Sequence, residues 1–148
     1  MTRRIKLSVL GVAAGLLTTL WAFDFSASAH EGHRHAPASA KKLKNPLTAT
    51  EENIAAGRAL FNRNCASCHG EDGKAKTDVA VAMKVKPTDL TGHEMRGITD
   101  GEIYWVITNG IKKSGMPALN AKTKPDERWQ MTLYVKHLMG EHPHASGE

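Results

Sequence analysis

Five consecutive residues, Cys65-Ala66-Ser67-Cys68-His69, constrain the fold of this 148-residue chain more than any other feature. Cys-x-x-Cys-His is the attachment signature of c-type haem. Each thiol can add across one porphyrin vinyl group, and the adjacent histidine then lies beneath the iron as its proximal ligand. A zinc site would need a second pair of ligands at matched spacing, and the chain has no further cysteine. A redox disulfide of the thioredoxin type would follow a strand, whereas Cys65 follows a helical pattern. The motif predicts covalent haem c, with zinc and a redox disulfide as the alternatives.

The N-terminal residues have the order of a secretory signal. Arg3, Arg4 and Lys6 precede a mostly apolar run over residues 7–25, and small residues follow at 27–29. This order is typical of an n-region, an h-region and a cleavage site. Residues 1–29 are therefore predicted to be a signal peptide, with an uncleaved membrane anchor as the alternative. Either route places the rest of the chain outside the cytoplasmic membrane, in the periplasm or another exported compartment.

The charge of the remaining chain limits the classes of partner. Loss of residues 1–29 removes three basic residues and one acidic residue, which lowers the formal net charge of +5 by two. So modest a charge argues against nucleic acid, which requires a concentrated basic face. The remaining length suits one small domain, to which a buried porphyrin adds apolar area.

Apolar residues at helical spacing predict three main helices. The first begins after an N-cap at Thr48 or Thr50 and runs to about residue 64. The second follows a capping box over residues 99–102 and closes at Asn109-Gly110, and the third runs from Pro125 to about residue 139. Between the first two, residues 70–98 lack sustained periodicity. This segment predicts a loop around a cofactor, with a short helical turn near residues 79–83.

Both ends of the exported chain lack a periodic apolar pattern. Residues 30–47 predict a flexible His-rich leader and residues 141–148 a flexible tail, so the folded domain is expected over residues 48–140. Histidines are concentrated in these two segments, and closely spaced imidazoles can bind divalent copper, nickel or zinc. We prefer the interpretation that both segments are solvated and have no metal-binding role. The histidines concerned are His30, His33, His35, His142 and His144.

An electron-carrying haem iron requires a second axial ligand, and a thioether sulfur raises its reduction potential. Met116 stands in the irregular segment Gly115-Met116-Pro117, where the backbone is free to present a side chain to iron. The two methionines of the predicted last helix suit core packing instead. Met116 is therefore the predicted ligand. The alternatives are Met95, Met83, a five-coordinate iron, and a second imidazole from His93.

From about Thr48 to Gly140 the chain resembles the small monohaem class I cytochromes c of bacteria, of the c6, c551 and cbb3-associated type. The resemblance is carried by Ala56-Gly57-x-x-Leu60-Phe61-x-x-Asn64-Cys65-Ala66-Ser67-Cys68-His69-Gly70-x-Asp72-Gly73, Lys86-Pro87-Thr88-Asp89-Leu90-Thr91, Gly115-Met116-Pro117, Trp129 and Tyr134-Val135. It implies an all-α cytochrome c fold, with three main helices wrapped around one covalently bound haem. By the same resemblance, Cys65 and Cys68 hold the porphyrin, and His69 and Met116 hold the iron.

The resemblance also implies three contacts. Gly57 lets the first helix cross the last one closely, and Phe61 packs near Tyr134. The carbonyl of Pro87 accepts a hydrogen bond from the second ring nitrogen of His69, which orients the imidazole.

The predicted function is one-electron transfer rather than catalysis. The sequence contains no combination of side chains for nucleophilic or acid–base chemistry. In a haem protein the iron supplies the chemistry instead. We expect a monomer that shuttles electrons between respiratory or oxidoreductase partners in transient contacts, with membrane association only if the signal stays uncleaved. The alternatives are a haem-bearing subunit of a larger oxidoreductase and a haem-based gas sensor. Exposed lysines flanking the two ligand segments are candidates for partner docking, or are simply solvated: Lys74, Lys76, Lys112 and Lys113.

Overall fold

The computed structural model describes residues 35–141. The predicted signal peptide, four of the five terminal histidines and most of the predicted tail lie outside the described residues. Between residues 35 and 141 no helix is long and apolar enough to span a membrane. The regular structure of this part is helical, apart from one isolated antiparallel bridge between Ile111 and Met116. The all-α fold class is thereby confirmed.

Five α-helices and three short 3-10 helices make up the described part of the chain. The α-helices are α1 Glu51–Asn64, α2 Ala66–His69, α3 Asp78–Ala82, α4 Asp100–Asn109 and α5 Pro125–Leu138. The 3-10 helices are Ala38–Lys42, His93–Met95 and Lys112–Ser114. The three long helices α1, α4 and α5 lie where the sequence predicts them, and α3 occupies the predicted turn in the central loop.

Side-chain caps set the starts of α1 and α4. The hydroxyl of Thr50, rather than that of Thr48, accepts a hydrogen bond from the backbone N–H of Asn53 at 3.2 Å. At α4 the predicted capping box is complete: the Thr99 hydroxyl accepts from the N–H of Glu102, whose carboxylate accepts from the N–H of Thr99. Each cap satisfies N–H groups that the first helical turn leaves without an intrahelical partner.

The crossing of α1 and α5 forms the centre of the core. A Cβ atom on Gly57 would lie 2.1 Å from the backbone oxygen of Gln130, so only glycine allows the two backbones to approach this closely. One turn further along α1, the rings of Phe61 and Tyr134 meet edge to face with centroids 5.2 Å apart. Met131 is completely buried beside them. The contacts expected of Gly57 and Phe61 are confirmed.

Part of the segment predicted as a flexible leader is packed against the domain. We call residues 38–45 the strap. Ala40 is 2% exposed, and a Cβ on Gly101 in α4 would lie 2.0 Å from the Ala40 carbonyl oxygen. The side-chain amide of Asn45 donates to the carbonyl of Trp129 at 3.2 Å. The structure therefore differs from the predicted domain start at Thr48, because the strap docks through small residues and backbone groups that leave no apolar periodicity in the sequence.

Candidate functional site

The Cys-x-x-Cys-His motif forms one helical turn directly after α1. The N–H of Cys65 still donates to the carbonyl of Phe61 at 2.7 Å, but the φ angle of Cys65, −124°, ends the α1 geometry. The new turn closes with the N–H of His69 donating to the carbonyl of Cys65 at 2.9 Å, and Gly70 ends it at φ 76°. Cys65 and Cys68 are both half-buried and free of a disulfide. The motif thus presents two thiols and one imidazole from a single rigid turn.

His69 is oriented by a backbone carbonyl. Its Nδ1 lies 3.1 Å from the carbonyl oxygen of Thr88. The resemblance implied the carbonyl of Pro87 instead, and this prediction is wrong by one residue. The N–H of Leu90 donates to the carbonyl of Gly73 at 2.8 Å, and the Leu90 side chain is buried. These two contacts set the register of the segment, so the carbonyl two residues before Leu90 faces the ring.

Burial also determines the protonation of the motif. Desolvation lowers the pKa of His69 below its ordinary value, opposed by the hydrogen bond to Thr88, so the ring is neutral at neutral pH. A neutral imidazole that donates from Nδ1 keeps the Nε2 lone pair for a metal. Burial, together with the nearby Cys68, raises the pKa of Cys65 to about 12. Thiols of redox-active Cys-x-x-Cys sites have lowered pKa values, so the alternative of a redox disulfide is disfavoured.

An apolar cluster lies against the motif. Cys65 and Ala66 pack against this cluster from its edge. Its buried members are Leu60, Phe61, Leu90, Met95, Ile103, Ile107, Leu119, Met131, Tyr134 and Val135. The half-buried motif therefore lies at the edge of a region that is itself buried from water.

The structure places the methionines in three kinds of surroundings. Met95, an alternative ligand in the sequence, is buried in the core cluster, and Met83 is exposed at the end of α3. Met131 is buried and Met139 packs against the core, as predicted for the last helix. Met116 alone of the five stands half-buried in an irregular loop.

The loop that carries Met116 is tightly constrained. Met116 and Ile111 exchange two backbone hydrogen bonds, of 3.2 and 3.0 Å, and Gly115 turns the chain between them at φ 76°. A Cβ on Gly110 would lie 2.5 Å from the Met116 carbonyl oxygen, so the loop is held directly against the C-terminal end of α4. The Met116 side chain is thus attached to a rigid support.

A buried cationic side chain between α4 and α5 was not predicted. The guanidinium of Arg128 donates to the Thr123 carbonyl and to the Tyr104 hydroxyl, the latter at 3.4 Å. The Tyr104 ring stacks on Trp129 with centroids 3.8 Å apart. Arg128 follows Pro125 at the start of a polar helical turn, and nothing in that pattern distinguishes it from a solvated arginine. Within residues 35–141 no group of three or more His, Cys, Asp or Glu side chains is arranged to hold a metal ion.

Residues 52–135 match the family model described as cytochrome c oxidase, cbb3-type, subunit III. The chain belongs to this family of c-type cytochrome domains. The resemblance predicted from the motifs and the cytochrome c fold are thereby confirmed.

Similar proteins differ widely in size. Cytochrome c6 of Limnospira maxima is 30% identical over 86 residues, which cover 56% of this chain and 90% of that protein. Subunit CcoP of the cbb3-type cytochrome c oxidase of Azospirillum brasilense is 33% identical over 85 residues, covering 57% of this chain and 28% of CcoP. Quinohemoprotein alcohol dehydrogenase ADH IIB of Pseudomonas putida is 30% identical over 100 residues, or 68% of this chain and 13% of the dehydrogenase. The chain thus spans well under half of these last two relatives.

A solved structure supports the same fold. A chain of the reducing HAO-like protein complex of Kuenenia stuttgartiensis superimposes with a TM-score of 0.56 at 29% identity, covering 65% of this chain and 49% of that chain.

Membership of this family implies covalently bound haem c, and the residues at the motif fit that group. Thioether bonds carry no charge, which suits two half-buried sulfurs beside an apolar cluster. The two thiols are not joined to each other and so are available for two separate bonds. His69 is neutral and held through Nδ1, which is the form in which an imidazole binds iron.

Proposed function

We propose that this cytochrome carries single electrons with one haem c, attached through Cys65 and Cys68, and with His69 and Met116 as its iron ligands. When bound, the haem takes up and releases one electron at its iron. The observation that carries the proposal is the hydrogen bond between Nδ1 of half-buried His69 and the carbonyl of Thr88, because a neutral ring that donates from Nδ1 keeps the Nε2 lone pair for a metal.

The surrounding residues keep the site ready for electron transfer. The buried cluster beside Cys65 excludes water, which limits the reorganisation that accompanies a change of charge. The carbonyl of Thr88 holds the His69 ring in one orientation. The two backbone hydrogen bonds between Ile111 and Met116 hold the second candidate ligand, Met116, on a rigid loop. Similarity to cytochrome c6 over 90% of its length supports a small carrier of this size.

The ligand assignment is tested by spectroscopy of the haem-loaded protein. We expect one haem per chain, retained on denaturation, with the pyridine spectrum of two thioethers. The oxidised protein should show the weak near-infrared band of sulfur-to-iron coordination. Met116→Ala should abolish this band, whereas Met83→Ala, which removes an exposed methionine, should leave it unchanged. If the band persists in Met116→Ala and is lost in Met95→Ala, the sulfur ligand of the iron is Met95, which would contradict the proposal.

We further propose that the protein is exported, loses residues 1–29 and works as a monomer with transient redox partners. The observations in support are the signal-like order of residues 1–29 and the mixed charge of the surface. N-terminal sequencing of protein from the periplasmic fraction should begin at His30. Recovery in the membrane fraction with Met1 retained would support the uncleaved anchor.

A second candidate function is that of a haem-bearing subunit in a larger oxidoreductase. The similarity to CcoP, a subunit of the cbb3-type oxidase, favours it, as does the match to the subunit III family. Sedimentation of protein extracted from its native cells distinguishes the two functions. A carrier should sediment as a monomer that is lighter than the unprocessed chain of 16.1 kDa, because residues 1–29 are removed, whereas a subunit should remain in a complex with partners at high salt. Fast binding of carbon monoxide to the wild-type protein would instead favour a gas sensor.

A further inference from the structure

The loop that carries Met116 consists mostly of exposed residues. From residue 112 to residue 118 every side chain is exposed except that of Met116, which is half-buried. The position of the loop therefore depends on how its two ends are attached. Its first end is held to α4 by the backbone bonds between Ile111 and Met116 and by the close contact at Gly110. At its second end the first buried residue is Leu119, which is 5% exposed.

The second end of the loop is a closed turn over residues 119–123. The N–H of Leu119 donates to the carbonyl of Ile107 in α4 at 3.1 Å, and the N–H of Asn120 donates to the next carbonyl of the same helix at 3.2 Å. The turn closes on itself, because the N–H and the hydroxyl of Thr123 both donate to the carbonyl of Leu119, at 3.0 and 2.8 Å. A group that holds Thr123 therefore helps to hold the whole turn against α4.

Arg128, in the first turn of α5, is such a group. Its guanidinium donates to the carbonyl of Thr123 and lies 3.4 Å from the Thr123 hydroxyl oxygen. The side chain is buried, with 6% of Arg128 exposed, and no carboxylate within residues 35–141 forms an ion pair with it. A buried cation without a counter-ion depends on its hydrogen bonds, so the charge-assisted bond to the Thr123 carbonyl is costly to break.

The guanidinium of Arg128 is itself fixed from the side of α4. One of its nitrogens lies 3.4 Å from the hydroxyl of Tyr104, and its central carbon lies 5.5 Å from the centre of the Tyr104 ring. This ring in turn stacks on Trp129 with centroids 3.8 Å apart. Arg128 cannot follow the turn if the turn moves away, because its charged group is held between the two helices. The side chain thus joins α4, α5 and the 119–123 turn.

We propose that Arg128 is a positioning residue for Met116. It fixes the 119–123 turn, and the turn fixes the second end of the loop that presents Met116 to the haem iron. Without the guanidinium, this end of the loop detaches from α4 more often, and the Met116 sulfur leaves the iron more often. The proposal rests on the proposed function, because a firm loop matters to the iron only if Met116 is its ligand.

The test compares Arg128→Met with Lys136→Met in the haem-loaded protein. Lys136 is the matched control because it is the other buried cation of α5, at 8% exposed, and it also donates to a backbone carbonyl, that of Ile98, at 3.0 Å. Its ion pairs are with Asp100 and Glu141, which lie outside the Met116 loop. Arg128→Lys is the conservative variant, which keeps the charge with fewer donors, and it decides the question by the same measurements if Arg128→Met does not fold.

The first measurement is the rate at which carbon monoxide binds to the reduced protein. Carbon monoxide reaches the sixth position of the iron only while the Met116 sulfur is away from it, so the rate reports how often the ligand leaves. Arg128→Met should bind about tenfold faster than the wild-type protein, as expected for loss of a hydrogen bond from a charged donor. Arg128→Lys should lie between the two, and Lys136→Met should bind at nearly the wild-type rate.

The second measurement does not depend on the iron ligand. Amide hydrogen exchange, followed by NMR, should be about tenfold faster at Leu119 and Asn120 in Arg128→Met, because these N–H groups bond the turn to α4. Exchange at both amides should stay near the wild-type rate in Lys136→Met. A residue that contributes only to the general stability of the fold would not act selectively at these two positions.

Three results separate this proposal from its alternatives. If Arg128→Met and Lys136→Met change both rates equally, Arg128 contributes only to general stability and the proposal is overturned. Faster exchange at Leu119 and Asn120 with unchanged binding of carbon monoxide would also overturn it, because the turn would then have no influence on the ligand. A wild-type protein without the near-infrared band would contradict the ligand set of the proposed function, and exchange at the two amides would still decide whether Arg128 holds the loop.

Discussion

Replacement of Gly57 by alanine tests the closest approach in the fold. In an isolated helix this change is favourable by about 1 kcal/mol, because alanine loses less conformational entropy than glycine. Here the new Cβ would lie 2.1 Å from the oxygen and 2.7 Å from the carbonyl carbon of Gln130, and 3.1 Å from Cβ of Tyr134. Two of these atoms belong to backbone in the middle of α5, so they cannot move aside as the end of a flexible side chain can. The helices must separate by roughly 1 Å to restore ordinary contact distances.

The cost of that separation follows from what the two helices share. Overpacking of a well-packed interior costs about 1–3 kcal/mol, and backbone atoms on both sides place this site at the upper end. Separation also weakens the edge-to-face contact of Phe61 with Tyr134, which contributes about 1 kcal/mol. After subtraction of the gain in helix propensity, Gly57→Ala should lower the free energy of unfolding by about 2–3 kcal/mol.

Guanidinium chloride unfolding of the haem-loaded protein, followed by far-ultraviolet circular dichroism, measures this difference as a shift of the midpoint at an unchanged slope. The control is Ala59→Gly on the exposed side of α1, which changes helix propensity alone and should cost about 1 kcal/mol. The reasoning would be refuted if Gly57→Ala proved as stable as the wild-type protein or more stable, because helix propensity would then outweigh the helix crossing.

Two further predictions concern the segment that orients His69. Leu90→Ala should speed hydrogen exchange at Nδ1 of His69, measured by NMR, because the buried Leu90 side chain holds the register of the chain. Thr88→Ala should leave the exchange rate unchanged, because the variant keeps the backbone carbonyl. Equal acceleration in both variants would place the effect in the Thr88 side chain. The pKa of Asp89 is lowered by hydrogen bonds that its carboxylate accepts from the Thr91 hydroxyl and then from the Thr91 backbone N–H, with smaller contributions from nearby lysines. The resulting stabilisation is present above the ordinary aspartate pKa and is lost as the pH falls through the folded-state pKa of Asp89. Thr91→Val should therefore be less stable than the wild-type protein at neutral pH and equal to it in strong acid, measured by denaturant unfolding at both pH values; a difference that persisted in acid would point to another cause.

The helix boundaries were predictable because their signals are local. A cap and its partner lie three residues apart, as in the reciprocal bonds of Thr99 and Glu102. Pro125 at the start of α5 and Gly110 at the end of α4 act through their own backbone geometry. Each of these features depends on a few neighbouring residues, so the sequence alone contains the information.

The strap was missed because its contacts are not local and use few apolar side chains. Its one deeply buried residue is Ala40, which packs at Gly101 through the backbone. Lys41 extends from the strap to within 3.9 Å of the buried carboxylate of Glu102. A search for apolar periodicity cannot detect such a contact. The features that permit docking are the missing side chain of Gly101 in α4 and the carbonyl group of Ala40 in the strap.

The candidate site also has a local part that the sequence predicts and a non-local part that it does not. The turn over residues 65–69 is contiguous, so one motif in the sequence predicts both thiols and the imidazole. The acceptor for His69 lies 19 residues further along the chain and is a backbone carbonyl, a group that every residue type possesses. Its identity depends on where the chain is held, by the Leu90 N–H bonded to Gly73 and by the burial of the Leu90 side chain. The type of residue at the acceptor position therefore does not identify the acceptor. The register of this segment is indicated only by its buried apolar neighbour, Leu90. In a domain of this kind, the buried leucine after the proline is therefore a better guide to the acceptor than the proline itself.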